Sequence, residues 1–390
     1  MAGPLQRGLL VGMIVTAGIA PMLRAGEPLV MAQDRTGTPT AIGGDGLVAP
    51  AMSVDTLPPA VKETKGPNGE AATSYLDVRL SADELKQVQQ GSHSAALVMH
   101  TSSAFIRALE QGATDAFAQM GVEVIARTDA GMDPAKQQSD AETVMARHPD
   151  IVLTLPIDPV QAAEAFRPAV EAGTKLVLLS NVPKGYEQGK DYVGVVTDDL
   201  FGIGQAAAEM LGDATGGTGE VGFIYHDADF YVTNQRDQAF KTVVQKQFPN
   251  LKIVAEQGMA DPKDAESIAA AMLTRNPGIT AFYVPWAEPA ENVLSALRAA
   301  GRDDVKVVTI DLDTTVALDM AQSGNIVGIA ADTPYLLGYT IAIEGAYGVL
   351  GKQAPPFVIV PTIKVTKDNL AEGWQASLHE DAPPEIVKEL

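Results

Sequence analysis

The chain has 390 residues, 46% of them hydrophobic, which is enough to build a sizeable core in two or three compact units. Forty-nine acidic residues against 28 basic ones give a formal charge of −21, so the surface repels polyanions, and nucleic acid and anionic lipid are disfavoured as partners. The absence of cysteine excludes disulfides, thiolate metal sites, a cysteine nucleophile and a lipid-acceptor cysteine, and the mature chain is expected free in solution.

Arg7 is followed by the apolar run Leu9 to Met22, which is broken by Pro21 and closed by Arg24. This predicts a cleaved secretory signal over residues 1–32 and a periplasmic location, since a spanning helix needs about 20 apolar residues. Small residues at Ala25, Gly26 and Ala32 offer several cleavage positions. Residues 33–92 are rich in Pro, Gly, Thr, Ala and Ser with little periodicity, and are expected to form a flexible leader. Ser81 with Glu84 three residues on predicts a capped short helix at its end.

From Ala95 short apolar runs alternate with amphipathic segments, the pattern of repeated βα units around a parallel sheet. The first runs are Ala95 to Met99, Val122 to Ala126, Ile151 to Leu155, Leu176 to Leu179 and Tyr192 to Val196. A second series covers Val221 to Tyr225, Ile253 to Glu256, Ala281 to Val284, Val305 to Ile310 and Ile326 to Ala330. Helical patterns lie between them, as in Ala104 to Gln119, Ala135 to Arg147, Val160 to Ala172, Leu200 to Leu211 and Pro262 to Arg275. Two similar series predict an α/β fold of two similar lobes.

Open parallel sheets bind ligands outside the carboxyl ends of their strands, so the residues just after each run are the candidates. They read His100-Thr101-Ser102-Ser103-Ala104-Phe105 and Ser180-Asn181 in the first series. The second supplies His226-Asp227-Ala228-Asp229-Phe230-Tyr231, Pro285-Trp286-Ala287-Glu288, Asp311-Leu312-Asp313 and Asp332. Hydroxyls, amides, carboxylates and rings at such tips suit a polyhydroxylated ligand. Each also has a purely structural reading. Ser103 can cap its helix, Phe105 and Trp286 can be core, His100 can satisfy local backbone, and Asp311 and Asp332 can be caps or hinge partners.

Other chemistry finds less support. Gly217-Thr218-Gly219-Glu220-Val221-Gly222 matches the dinucleotide fingerprint as a string, but a helix precedes it and a strand follows, the reverse of a phosphate cradle. The His226 to Asp229 cluster has no spaced second histidine and no calcium loop, so no metal is expected. No G-x-S-x-G elbow supports a hydrolase, and the signal and leader stand where a DNA-binding module of a regulator would be.

Several local motifs in order resemble the type I periplasmic binding proteins of the ribose-binding class. They are Ser103-Ala-Phe105 with Leu109-Glu-Gln-Gly112-Ala113, Ala172-Gly173 leading to Leu179, and Val193-Gly-Val-Val-Thr197-Asp198-Asp199 with Gly202 and Gly204. Further on come Asn234-Gln-Arg236 to Phe240, Asn292 to Gly301, Val307-Val-Thr-Ile-Asp311 and Ala330-Ala-Asp332-Thr-Pro334. The resemblance spans Ser94 to about Trp374 and implies two Rossmann-like lobes joined by a three-strand hinge. The lobes are expected at 94–197 plus 333–361 and at 198–332 plus 362–376.

It also implies a ligand set. Ser103 and Phe105 match a polar contact and a stacking ring, with His100 beside them. Ser180-Asn181 replace an Asp-Arg pair of the class, which argues against simple transfer of pentose specificity. An arginine position falls on Asn234, with Arg236 nearby. An asparagine position is ambiguous between Trp286 and Glu288, Asp311 matches a hydroxyl-binding aspartate, and Asp332 matches a polar residue near the third hinge. The implied protein is no enzyme and has no cofactor. It would be a monomer that captures a small sugar or polyol for the membrane permease of an ABC transporter. Presentation to a sensor kinase or chemoreceptor, and a cationic or amino-acid-like solute, stay open as alternatives.

Overall fold

A computed structural model describes residues 46–228 and 230–390. The expected signal segment, the first part of the leader and Asp229 lie outside the described residues. No helix among those described is long and apolar enough to cross a membrane.

Four short elements come first: β1 (Leu47–Val48), β2 (Thr73–Ser74), β3 (Arg79–Leu80) and α1 (Ala82–Gln90). The capping box that starts α1 is complete, with Ser81 Oγ accepting from Glu84 N and Glu84 Oε2 accepting from Ser81 N at 2.8 Å. The stretch expected as a flexible leader is therefore, from Gly46 onward, part of the folded body. Its apolar residues are too sparse for periodicity to reveal, yet Leu47, Tyr75, Val78, Leu80 and Val88 are all buried in one core cluster.

The first lobe runs through β4 (Ser94–Met99), α2 (Ala104–Met120), β5 (Glu123–Asp129), α3 (Pro134–Met145), β6 (Ile151–Thr154), α4 (Pro159–Glu171), β7 (Lys175–Leu179) and β8 (Val195–Asp198). Asp133 and Asp158 each cap a helix whose first residue is proline, a position where the missing N–H costs nothing. β8 begins later than the apolar run Tyr192 to Val196 suggested. Tyr192 O is taken by Gly189 N at 2.7 Å in a preceding loop, and the ladder to β7 starts at Val195.

The second lobe follows as α5 (Leu200–Thr215), β9 (Thr218–His226), α6 (Tyr231–Gln247), β10 (Asn250–Met259), α7 (Asp264–Arg275), β11 (Ile279–Tyr283), α8 (Ala287–Ala300), β12 (Lys306–Ile310), α9 (Thr314–Ala321) and β13 (Ile326–Ala331). Gly216 closes α5 in the left-handed conformation and β9 starts two residues later, so the glycine string ends a helix rather than opening one. The chain then returns to the first lobe through α10 (Pro334–Leu350) and β14 (Phe357–Val360). It finishes on the second with β15 (Ile363–Val365), α11 (Leu370–Leu378) and α12 (Pro384–Val387).

The sheets have the orders β2-β14-β8-β7-β6-β4-β5 and β10-β9-β11-β12-β13-β15. Every pairing in them is parallel except β13 with β15. Helices on both faces bury every residue of central strands such as β6 and β14, while the edge strands β5 and β10 stay partly exposed. In each sheet the first core strand, β4 or β9, lies between the next two, so strand order reverses beside it and a crevice opens at its carboxyl end. The chain passes between sheets at Asp198–Asp199, Asp332–Thr333 and Pro361–Thr362. Asp199 N donates to Val360 O at 3.0 Å and Thr333 Oγ1 to Pro361 O at 2.9 Å, which ties the three crossings together.

Helices α2 and α10 cross at glycines. A Cβ on Gly112 would lie 1.9 Å from Tyr335 O, and one on Gly338 would lie 1.9 Å from Leu109 O. Alanine improves helix propensity by about 1 kcal/mol, but an overlap with backbone cannot be relieved by turning a side chain, and overpacking costs about 1–3 kcal/mol or more. Packing wins, so Gly338→Ala is expected to lower stability by at least about 1 kcal/mol net in urea unfolding, despite the propensity gain.

Candidate functional site

The wall of the first lobe is built from residues just past β4 and β7. Ser103 Oγ caps α2 by accepting from Ile106 N at 3.2 Å, which sets the direction of the first helical turn and of Phe105, itself half-buried against the lobe core. His100 lies between strand and cap. Burial depresses its pKa to about 4 against the opposing pull of Asp129, so the ring is neutral at pH 7, and its Nδ1 is buried without a partner. Ser180 takes a left-handed conformation with φ 57°, uncommon without glycine, and its Oγ shares a 2.7 Å hydrogen bond with Thr197 Oγ1. Asn181 spends its amide on Pro156 O at 2.8 Å, which leaves its buried Oδ1 unpartnered.

The facing wall comes from the second lobe. At the end of β9 the His226 ring stands edge-on to Trp286 and to Phe230, with centroids 5.4 and 5.8 Å away. His226 Nδ1 is 3.2 Å from Thr233 Oγ1. Burial lowers the His226 pKa, and the nearby Arg236 lowers it further. Trp286 is the first residue before α8 and packs, half-buried, on the lobe core. Asp311, directly after β12, has φ 64°, the second strained strand end in the site.

Charge concentrates where the lobes join. Arg236 is 6% exposed, donates from Nη2 to Pro285 O at 2.7 Å, and leaves Nε buried without a partner. Asp198, at the first hinge crossing, has its pKa raised to about 7. Burial is the main cause and the Asp311 carboxylate adds to it, while the Thr333 N–H and Arg236 pull the other way. Asp332 is pushed well above the ordinary range by burial and by Asp311 and Asp198, and it hydrogen-bonds to Asp311 as the protonated partner. Two of the three carboxyl groups are thus wholly or partly neutral at pH 7, and the guanidinium balances much of what remains.

Most of the expected residues stand at these strand ends: His100, Ser103, Phe105, Ser180 and Asn181 on one wall, Trp286 and Asp311 on the other, and Asp332 at the hinge. Two do not face the junction. Asn234 is exposed and its amide donates to Ala228 O of its own loop at 3.2 Å, and Glu288 is exposed on the first turn of α8. Arg236, which the resemblance placed only near the Asn234 position, is a buried charged residue of α6. The signal was present in α6, where Thr233, Arg236, Asp237 and Phe240 are buried at spacings of three and four. Among the described residues no group of three or more metal-binding side chains forms, and His226, at the end of β9, makes ring contacts instead.

Comparison with known proteins accords with this architecture. A family model described as the periplasmic binding protein domain matches residues 95–353, about two-thirds of the chain. The ribose import binding protein RbsB of Bacillus subtilis is 26% identical over 259 residues, covering 66% of this chain and 81% of the relative. The ABC transporter periplasmic-binding protein YphF of Escherichia coli is 24% identical over 290 residues, covering 71% and 86%. An ABC transporter solute-binding protein from Agrobacterium vitis, bound with alpha-D-tagatopyranose, superposes with a TM-score of 0.64 at 23% identity, covering 77% of this chain and 99% of that one. One from Mycobacterium smegmatis with bound glycerol gives 0.63 at 24%, covering 72% and 96%. These structures show the same fold. The homologues are binding components of transport systems and are not enzymes. With its family model spanning most of both lobes, the chain belongs to the periplasmic binding protein family.

Proposed function

We propose that this chain is the extracytoplasmic, monomeric binding component of an ABC importer, closing two lobes on a small neutral sugar or polyol and delivering it to the membrane permease. One observation carries the reading. Four buried polar atoms with no internal partner, His100 Nδ1, Asn181 Oδ1, Asp198 Oδ1 and Arg236 Nε, stand at two strand ends of the first lobe, at the hinge and on α6 of the second. Each costs about 1–3 kcal/mol if nothing pairs with it. A ligand hydroxyl both donates and accepts, so one polyol can satisfy donors and acceptors together. Partial protonation of Asp198 and Asp332 beside Arg236 keeps the site near charge balance, which favours a neutral ligand over an anion or a cation. Phe105 and Trp286 supply flat apolar surface for the faces of a sugar ring. The relatives solved with tagatopyranose and glycerol support the same ligand class.

Titration calorimetry of the purified protein against D-ribose, D-arabinose, D-tagatose, allitol, glycerol, amino acids and small amines tests the proposal. One-to-one binding of a sugar or polyol is expected, and binding of amines or amino acids alone would overturn the ligand class. Arg236→Met is expected to weaken that binding at least about tenfold, or 1.4 kcal/mol. Asn234→Ala and Glu288→Ala, both on exposed positions, should leave it within about twofold.

The buried carboxyls also set a pH dependence. Asp198 titrates at about 7 and Asp237 at about 6, both raised chiefly by burial. Glu344 on α10, with neither carboxyl oxygen partnered, is raised to about 8 by burial. In each case the native state holds a proton that the unfolded chain has already lost, so stability falls as pH rises from about 4 to about 8. His100, depressed to about 4, and His226, lowered by burial and by Arg236, act in the opposite sense up to about pH 6.5, but they are two groups against several. The ligand-free protein is therefore expected to melt at a higher temperature at pH 5 than at pH 8, and Glu344→Gln should reduce the difference.

A further inference from the structure

Residues 52–74 run across the junction of the lobes rather than along one of them. Val54 packs on the core of the second lobe and Met52 on the cores of both. Leu57 packs on the second lobe and donates its N–H to Thr362 O, on the third hinge crossing, at 3.0 Å. Ala60 N and Thr64 Oγ1 then bond to the two carboxylate oxygens of Asp199 at 2.7 and 2.6 Å, while Asp199 Oδ1 also caps α5 through Gly202 N at 3.1 Å. Val61 and Ala72 pack on the first lobe, and β2 joins that lobe's sheet beside β14. Between these anchors, residues 65–71 form a turn closed by the Lys65–Ala71 bridge and by Gly66 N donating to Glu70 O at 2.9 Å. Lys65 O accepts a hydrogen bond from the hydroxyl of Tyr231, at the start of α6 in the second lobe.

Tyr231 occupies the place where opening would be felt. Its ring packs against core clusters of both lobes, and its neighbour Phe230 packs on the first-lobe core. Ala104 and Ala108 of α2 likewise pack with the second-lobe cluster. The lobes are thus apposed in this structure, and the bond from Tyr231 to Lys65 spans them. Burial, with the Glu70 carboxylate nearby, keeps the phenol protonated and able to donate.

We propose that residues 52–74 form a strap that acts as a fourth, non-covalent crossing between the lobes and biases the clamp toward its closed form, with Tyr231 as the positioning residue that couples the strap to the second lobe. The proposal rests on the two-lobed binding reading but not on which ligand is bound. A strap fixed to the first lobe by β2 and to the second by Asp199, Thr362 and Tyr231 resists separation. It raises the fraction of protein already competent to hold ligand, and hence the affinity.

Because the chain has no cysteine, Glu164→Cys on the first lobe and Lys246→Cys on the second, both exposed, accept spin labels at those two sites alone. Double electron–electron resonance then reads the interlobe distance without any ligand. Tyr231→Phe removes one strap bond and Thr64→Val two, to Asp199 Oδ1 and from Phe201 N, and both are expected to shift the closed-to-open ratio at least about threefold toward long distances, the range that such net hydrogen bonds allow. An unchanged melting temperature identifies each variant as folded. A wild-type distribution already centred on the long distance, or one that neither substitution moves, overturns the strap. A sugar screen with no binding would remove the proposed ligand and leave this distance measurement decisive. Where D-ribose or D-arabinose does bind, Tyr231→Phe should speed its release by the same factor, and an unchanged release rate counts against the strap.

Discussion

The site is organised around the removal of one guanidinium, Arg236, and two carboxyl groups, Asp198 and Asp332, from water beside the half-buried Asp311, at the meeting point of two sheets. Such a group of charges is tolerable only when it is nearly neutral as a set and when dipoles and hydrogen bonds replace the lost water. Arg236 supplies the positive charge, Asp332 keeps its proton, and Asp198 accepts the backbone N–H of Thr333. The fold makes this possible because parallel strands all point their carboxyl ends the same way, so a few residues from distant parts of the chain arrive together. The left-handed backbone at Ser180 and Asp311 shows the cost of aiming side chains from those ends.

Much of the fold was legible because its elements obey strong local rules. Apolar runs such as Ile151 to Leu155 and Val305 to Ile310 became buried strands, and the helical patterns Ala135 to Arg147 and Val160 to Ala172 became α3 and α4. What was not legible depends on contacts between residues far apart in sequence. β2 is two residues long and exists only because β14 lies beside it. Leu47, Val78 and Leu80 carry no periodicity, since each covers a patch that other segments create. A composition rich in proline and small residues describes such a wrapping segment as readily as a mobile one.

The site divides along the same line. Residues immediately after a strand, such as His100, Ser180 and Asp311, could be placed beforehand because the strand fixes where its end points. Residues inside a helix were not, because each step turns the side chain by about 100°. A two-residue slip from Arg236 to Asn234 therefore moves a residue from the buried face of α6 to solvent. Family motifs locate such positions only to within a residue or two, and burial periodicity is the finer guide.

The discontinuity of the first lobe also governs the order in which the molecule can assemble. β8 takes β14 as its outer neighbour, and β14 arrives only after the whole core of the second lobe has been passed. Until then the outer edge of Val195–Asp198 has no partner, and closing so long a loop must be paid for in chain entropy before any pairing rewards it. The second lobe, whose strands β9 to β13 follow one another without interruption, waits in the same way for β15, α11 and α12, which come last of all. Neither lobe can therefore close before the final tenth of the chain is available, and each carries an open sheet edge until then.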